Sequence, residues 1–232
     1  MRQSWWKVLC VILLAYTVIG GFLMPVPRLD ILNETIRNLY FHVPMWFTMM
    51  LLYTMSFYYS LKYLRTGKLQ DDIFAAQITN TGIFFSILGL VTGMEWAKFT
   101  WGSAWSNDIK QTDTAISMLI YFAYAILRGG IKDEDKRAKV SAVYNIFAYA
   151  MMIPLIMILP RMKDSLHPGN GGNPAFSGYD LDNDMRKVFY TAVIGWILLG
   201  LWIASLKIRF NMLQFKKENA FQFDFEKNKK DA

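Results

Sequence analysis

Six apolar stretches divide this 232-residue chain and constrain its fold more than any other feature. They cover residues 8–24, 43–61, 73–94, 114–127, 140–159 and 188–206. A helix needs about 20 apolar residues to cross the roughly 30 Å of hydrocarbon in a bilayer, and most of the stretches approach that length. We therefore predict an all-α fold, a polytopic membrane protein with a bundle of six transmembrane helices. The fourth stretch is the shortest, and an error there would invert the topology of everything after it.

The formal net charge of +7 would also fit a nucleic-acid-binding protein, so the distribution of the charges decides. The N-terminus, the second and fourth loops and the C-terminal tail together hold 17 of the 25 basic residues. This asymmetry is the pattern of cytoplasmic segments. We predict contact with the lipid bilayer, no nucleic acid, both termini cytoplasmic and the first, third and fifth loops external.

The chain has no internal repeat and no low-complexity tract that would divide it. We predict one six-helix transmembrane domain over residues 1–210 and a short charged cytoplasmic tail over residues 211–232. The single cysteine, Cys10, lies in the first stretch and leaves no disulfide to be formed within one chain. The external loops are longer than the cytoplasmic ones and carry Pro, Gly, Trp and His, so we expect the function on the external face.

The only two histidines, His42 and His167, both fall on the predicted external side. Each alone is more typical of an interface residue or a surface loop than of a ligand. Together they flank one Trp-rich external segment, and two neutral imidazoles on one face can serve as the axial ligands of a haem iron. His167 also precedes Pro168 and the glycine-rich residues 169–172, where backbone can approach a ligand closely. We therefore predict a haem site with His42 and His167 on the iron.

The Trp-rich segment has helical spacing. Trp101, Trp105 and Asp108 stand at i, i+4 and i+7, and a helix would place them on one face. The same pattern fits an aromatic belt at the membrane surface, although a belt requires neither Gly102 nor an acid at its end. Asp108 fits a helix cap as well as a place beside the ligand. Haem propionates need cations, for which the nearest external candidates are Arg37, Lys98, Lys110 and Arg161.

Three segments resemble the haem-handling membrane proteins with a Trp-rich external motif, specifically the cytochrome c maturation protein C (haem exporter protein C) family. These are Tyr40-Phe41-His42-Val43-Pro44 with Trp46, Trp101-Gly102 with Trp105 and Asp108, and Leu166-His167. The resemblance implies that His42 and His167 ligate the iron of a transported haem b. It further implies porphyrin contacts by Trp101, Gly102, Trp105 and Asp108, with basic residues at Arg37 and Lys110. The family often has Arg in place of Lys110, and more Trp in place of Ala104 and Asn107.

The resemblance implies haem delivery in cytochrome c-type biogenesis, not an enzyme. Such a protein of the bacterial inner membrane presents haem at the periplasmic face. With ABC transporter subunits and a small membrane subunit, it loads a periplasmic haem chaperone. Two alternatives stay open: a cytochrome c haem lyase or synthase of the same superfamily, and a haem-independent small-molecule transporter. A cytochrome b type carrier is disfavoured, because it would place paired histidines inside the spans.

Overall fold

The computed structural model describes residues 4–28, 31–167 and 181–230, with side chains described up to residue 220. Its six α-helices are α1 (Trp5–Leu23), α2 (Leu39–Thr66), α3 (Leu69–Trp101), α4 (Ile109–Gly130), α5 (Glu134–Ile153) and α6 (Asn183–Lys230). A 3-10 helix, Asn33–Asn38, precedes α2, and α5 continues through a π turn, Pro154–Ile158, and a 3-10 turn, Leu159–Arg161. The predicted all-α class and the six helices are confirmed, and the described residues contain no strand.

Four of the described helices are long and apolar enough to cross a membrane: α1, α3, α5 with the turns that follow it, and α6. The remaining two, α2 and α4, are less apolar, although both were expected as spans. For α2 the packing gives a reason, since it contacts α3, α5 and α6. Several of its hydroxyl-bearing side chains, Tyr53, Ser56 and Ser60, therefore form hydrogen bonds to other helices. The direction of the chain across the membrane stays a prediction.

The third helix is longer than the apolar stretch that predicts it. At 33 residues, α3 is about 50 Å long at 1.5 Å per residue, which exceeds the roughly 30 Å of hydrocarbon in a bilayer. Its last two turns lie beyond the predicted span of residues 73–94 and carry Trp96 and Trp101. The helix itself therefore presents two tryptophans at its C-terminal end.

Three rings of α2 lie against three glycines of α3 in a single antiparallel register. The pairs are Tyr53 with Gly82, Trp46 with Gly89 and His42 with Gly93. A Cβ atom on these glycines would come within 2.5, 2.8 and 2.5 Å, respectively, of the nearest ring atom. No side chain larger than hydrogen fits beneath the rings, so the glycines let the two helices approach closely. This register fixes the depth of His42 along α3.

A glycine and an aspartate define the helix ends on either side of the third loop, which joins α3 to α4. Gly102 follows α3 with a left-handed φ of +78°, a conformation that glycine adopts without steric cost. Asp108 caps α4, where its carboxylate accepts the Lys110 backbone N–H at 2.9 Å. The five residues between them form no helix. The chain thus leaves α3 and enters α4 through a tight segment at one end of the bundle.

The last helix runs through the boundary that the sequence predicts between domain and tail. α6 extends over 48 residues, Asn183–Lys230, without interruption at residue 210. It packs against α1 and α2. No helix end marks the start of a tail in the described residues, and the division at residues 210 and 211 stays a prediction.

Candidate functional site

His167 is held by a buried carboxylate. Its Nδ1 lies 2.9 Å from Oδ1 of Asp108, which is only 7% exposed. The same carboxylate accepts the Leu166 backbone N–H at 2.7 Å and the Ser165 hydroxyl at 3.0 Å. Asp108 therefore does both things that the sequence left open, since it caps α4 and also fastens the segment that carries His167.

Burial sets the protonation states of this pair. It lowers the pKa of the His167 imidazole below its ordinary value, against the opposing effect of the Asp108 carboxylate. Burial acts to raise the pKa of Asp108, but hydrogen bonds from the Leu166 N–H and the Ser165 hydroxyl outweigh it and leave that pKa lowered. Near neutral pH the carboxylate is therefore charged and the imidazole neutral. In that state Nδ1–H donates to Asp108, and Nε2 carries a lone pair.

His42 is held by the backbone of α3. Its Nδ1 lies 2.9 Å from the Gly89 carbonyl oxygen and 3.2 Å from the Thr92 hydroxyl. Its Nε2 accepts a hydrogen bond from the Trp46 indole N–H at 3.3 Å. Because a carbonyl oxygen can only accept, Nδ1 bears the proton and Nε2 has the lone pair. Both histidines thus have Nδ1 directed at an oxygen and the ring lone pair on Nε2.

The two tryptophans at the end of α3 bring the histidines to one place. The His42 ring packs edge-on to Trp96 with centroids 5.9 Å apart, and the His167 ring packs edge-on to Trp101 at 4.7 Å. Residues 125 positions apart in the sequence therefore share one end of the bundle.

The predicted helical face of the Trp-rich segment is wrong. Trp101 is the last residue of α3, and Gly102 and Asn107 both have positive φ angles, of 78° and 56°. Trp105 consequently does not stack one turn after Trp101. Its indole N–H instead donates to the Asn107 side-chain oxygen at 2.9 Å, and the residue is 36% exposed. The i, i+4 spacing misleads here because glycine ends the helix before the second tryptophan.

The basic candidates differ in their surroundings. Arg37 donates from Nη1 to the Gly21 and Met24 carbonyl oxygens, at 2.8 and 2.7 Å, and so ties the end of α1 to the segment before α2. Lys110 lies near the His167 pair: burial lowers its pKa, the Asp108 carboxylate opposes that effect and the Arg161 cation adds to it. Lys98 is exposed on α3.

Several residues of this site were not predicted as such by sequence reasoning. The sequence did not predict that Trp96 packs against His42, nor that Gly89, Thr92 and Gly93 of α3 contact the His42 ring. The signal that could have found them is the matching i, i+4 spacing of His42 with Trp46 on α2 and of the two glycines on α3. The glycine-rich residues 169–172, and Pro168 before them, lie outside the described residues.

Residues 1–222 match the family model described as Heme exporter protein C. The chain belongs to the haem exporter protein C family. The resemblance inferred from the histidine and tryptophan segments is thereby confirmed.

Relatives that match this chain over most of its length come from this family. Heme exporter protein C of Bradyrhizobium diazoefficiens is 28% identical over 215 residues, which cover 90% of this chain and 78% of that protein. Heme exporter protein C of Escherichia coli K12 is 22% identical over 185 residues, 80% of this chain and 74% of that protein. The Cytochrome c biogenesis protein CcsA of Pelargonium hortorum is 37% identical over 88 residues, only 38% of this chain and 28% of that protein. Likeness along most of the chain is therefore to haem exporter family members.

Proposed function

We propose that this protein handles haem in cytochrome c biogenesis and holds it at its external face, with His42 and His167 as the axial ligands. The observation that carries the proposal is the matched arrangement of the two rings. In each, Nδ1 lies 2.9 Å from an oxygen acceptor, the Gly89 carbonyl or the Asp108 carboxylate. Histidines that bind metals almost always donate their other ring N–H to such an oxygen, which orients the ring and fixes the tautomer.

The surroundings of the rings favour haem over a bare metal ion. A haem iron accepts two axial nitrogens, and the porphyrin needs apolar contact. Trp96 and Trp101 supply aromatic surface beside the two imidazoles. A structural or catalytic zinc site would need at least three protein ligands in a compact group, and the described residues contain no group of three or more His, Cys, Asp or Glu that could hold a metal ion.

We also propose which cations and which other residues contact the porphyrin. Lys110, with Arg161 beside it, is the cation that we place nearest a propionate, because it is electrostatically coupled to both Asp108 and His167. Arg37 stays in the proposed site, although its hydrogen bonds to α1 also give it a structural task. We assign porphyrin contacts to Trp101, Gly102 and Trp105 as well. The exposure of Trp105, 36%, leaves its ring accessible to a ligand from outside.

The proposed task is transfer, because the two histidines and the tryptophans beside them supply ligands and aromatic contacts for haem. We propose that the protein lies in the bacterial inner membrane with its histidine end in the periplasm. There it would cooperate with ABC transporter subunits and a small membrane subunit and pass haem b to a periplasmic haem chaperone. The two relatives that match most of the chain, both named Heme exporter protein C, support this assignment.

A second candidate is a haem lyase or synthase, which the segmental likeness to a CcsA protein favours. The two candidates differ in their product. A lyase joins haem covalently to the cysteines of a C-x-x-C-H peptide, and the product keeps its haem on a denaturing gel. For this protein we expect haem to pass to a histidine-bearing acceptor and no haem to remain on such a peptide after denaturation.

The histidine assignment is tested by the absorption spectrum of the protein purified from haem-replete cells. We expect a low-spin Soret band typical of two histidine ligands, and its loss or conversion to high spin in His42→Ala and in His167→Ala. Lys187→Ala is the matched control, because this side chain is 62% exposed at the start of α6 and forms its ion pair within the described residues with Asp184, three positions earlier. A parent protein without haem, or histidine variants with unchanged spectra, would exclude the proposal.

A further inference from the structure

The two histidines are held differently at the atom that iron needs. The Nε2 of His42 already accepts a hydrogen bond, from the Trp46 indole N–H at 3.3 Å. The hydrogen bonds of His167 within the described residues involve its Nδ1 and its backbone N–H instead. The Trp46 indole therefore competes with iron for Nε2 of His42. His167, by contrast, is held by Asp108 through its other ring nitrogen, Nδ1.

The tautomer of His42 makes this competition direct. The Gly89 carbonyl fixes the proton on Nδ1, so Nε2 has a single lone pair in the plane of the ring. That lone pair cannot bind iron and accept the indole proton at the same time. Ligation by His42 consequently requires the Trp46 N–H to leave, and departure of the iron allows it to return. No covalent bond, electron or proton is transferred in this exchange, since the proton stays on the indole throughout.

The fold also holds the competitor in place. Trp46 follows His42 by one helical turn on α2, and the two rings meet edge-on with centroids 5.9 Å apart and an angle of 83° between their planes. Gly89 lies beneath the indole, where a Cβ would come within 2.8 Å of Trp46 Cε2. Gly93 lies beneath the imidazole, at 2.5 Å from His42 Cε1 by the same measure. The contact is thus part of the α2–α3 packing and does not depend on a mobile surface side chain.

We infer that Trp46 is a positioning residue that competes with haem iron for His42, which makes His42 the releasable ligand and His167 the retained one. This inference rests on the proposed function. It assigns a direction to haem release, because the indole N–H stabilises the free state of one histidine only. An incoming acceptor would therefore replace His42 first.

The test is Trp46→Phe, which keeps an aromatic ring packed over Gly89 but has no N–H. Net hydrogen-bond energies predict that the variant binds haem about 2- to 10-fold more tightly than the parent. We also expect a larger low-spin fraction and slower loss of haem to excess apomyoglobin. Trp202→Phe is the matched control. The Trp202 indole packs against Trp6, at the N-terminal end of α1, so this variant should leave all three quantities unchanged.

Making Trp46→Phe in a His42→Ala protein separates competition for the His42 nitrogen from a general effect of Trp46 on packing. In a His42→Ala protein, Trp46→Phe should have no further effect on haem affinity, because the contested atom is gone. Equal or weaker haem binding by Trp46→Phe in a parent that does bind haem would overturn the inference and leave the proposed function intact. A parent that binds no haem would remove both.

A further variant keeps the inference testable if Trp46→Phe does not fold. Trp46→Leu also lacks an N–H, and its side chain needs less room over Gly89 than the indole does. We expect it to increase the low-spin fraction, in the same direction as Trp46→Phe. An unchanged or smaller low-spin fraction in this variant would overturn the inference.

Discussion

Asp108 combines two tasks in one side chain. Its Oδ1 accepts from the Lys110 backbone N–H, which caps α4, and from His167, which orients the candidate ligand. Because the carboxylate is buried and accepts several hydrogen bonds, its charge is compensated locally. A helix cap thereby also fixes the position of a residue 59 positions later in the chain.

Asp108→Asn separates these two tasks. Asparagine caps helices about as well as aspartate, so we expect the thermal midpoint of unfolding to change little. The variant lacks the anionic acceptor behind His167, and loss of such a partner typically weakens metal binding about 10- to 100-fold. Haem titration followed at the Soret band measures that change.

The control for this prediction is Asp133→Asn, which alters the equivalent cap of α5, where the carboxylate accepts the Lys136 N–H at 2.7 Å. That residue contacts neither histidine, and its variant should bind haem as the parent does. Equal affinities for the two variants would show that Asp108 acts only as a cap.

At the scale of elements, polar side chains join helices that apolar contact alone would not distinguish. The Asn145 side-chain amide of α5 donates to the hydroxyl oxygens of Ser56 and Ser60 on α2, at 2.6 and 2.8 Å. All three side chains are buried. In lipid, helices gain little from hydrophobic burial against one another, so such hydrogen bonds and close packing select the partner helix.

We therefore expect Asn145→Ala to lower the free energy of unfolding by about 1 kcal/mol, the usual range for hydrogen bonds between membrane helices. Unfolding in mixed detergent micelles at increasing SDS fraction provides the measurement. Asn211→Ala removes an amide that donates to Lys207 within its own helix, at 2.9 Å, and should have a smaller effect. If both variants were equally destabilised, the contact between helices would have no special role.

At the scale of the whole molecule, the two candidate histidine ligands and the Asp72–Arg128 ion pair lie at opposite ends of α3. Both histidines lie at the C-terminal end of that helix, beside Trp96 and Trp101. At its N-terminal end, Asp72 accepts two hydrogen bonds from Arg128, at 2.8 and 2.6 Å, which ties α3 to α4. The predicted orientation assigns the histidine end to the periplasm and the Asp72 end to the cytoplasm.

Cysteine labelling in intact cells tests this orientation. The only native cysteine, Cys10, is fully buried and should react poorly. Ser103→Cys, at an exposed position of the Trp-rich segment, should react with a membrane-impermeant maleimide before lysis. Lys132→Cys, exposed in the loop between α4 and α5, should react only after lysis. The reverse result would place the histidines in the cytoplasm and exclude delivery to a periplasmic chaperone.

The sequence by itself determined the helical class, the number of helices and the family. These follow from local properties: the length of the apolar stretches, and short segments around His42, Trp101 and His167 whose residue types can be read without knowing their neighbours in space. It also determined Asp108 as a residue with a task, although not which task. The prediction that Trp101 and Trp105 share a helical face was wrong, because Gly102, in a left-handed conformation, ends the helix between them.

Only the tertiary structure decided how the two histidines are held. Each Nδ1 finds its oxygen far away in sequence, 47 positions from His42 and 59 from His167. The same holds for the aromatic and glycine register of α2 on α3, which places Trp46 and His42 over Gly89 and Gly93. Helix periodicity shows which residues share a face, but the partner of that face depends on the packing of the whole bundle.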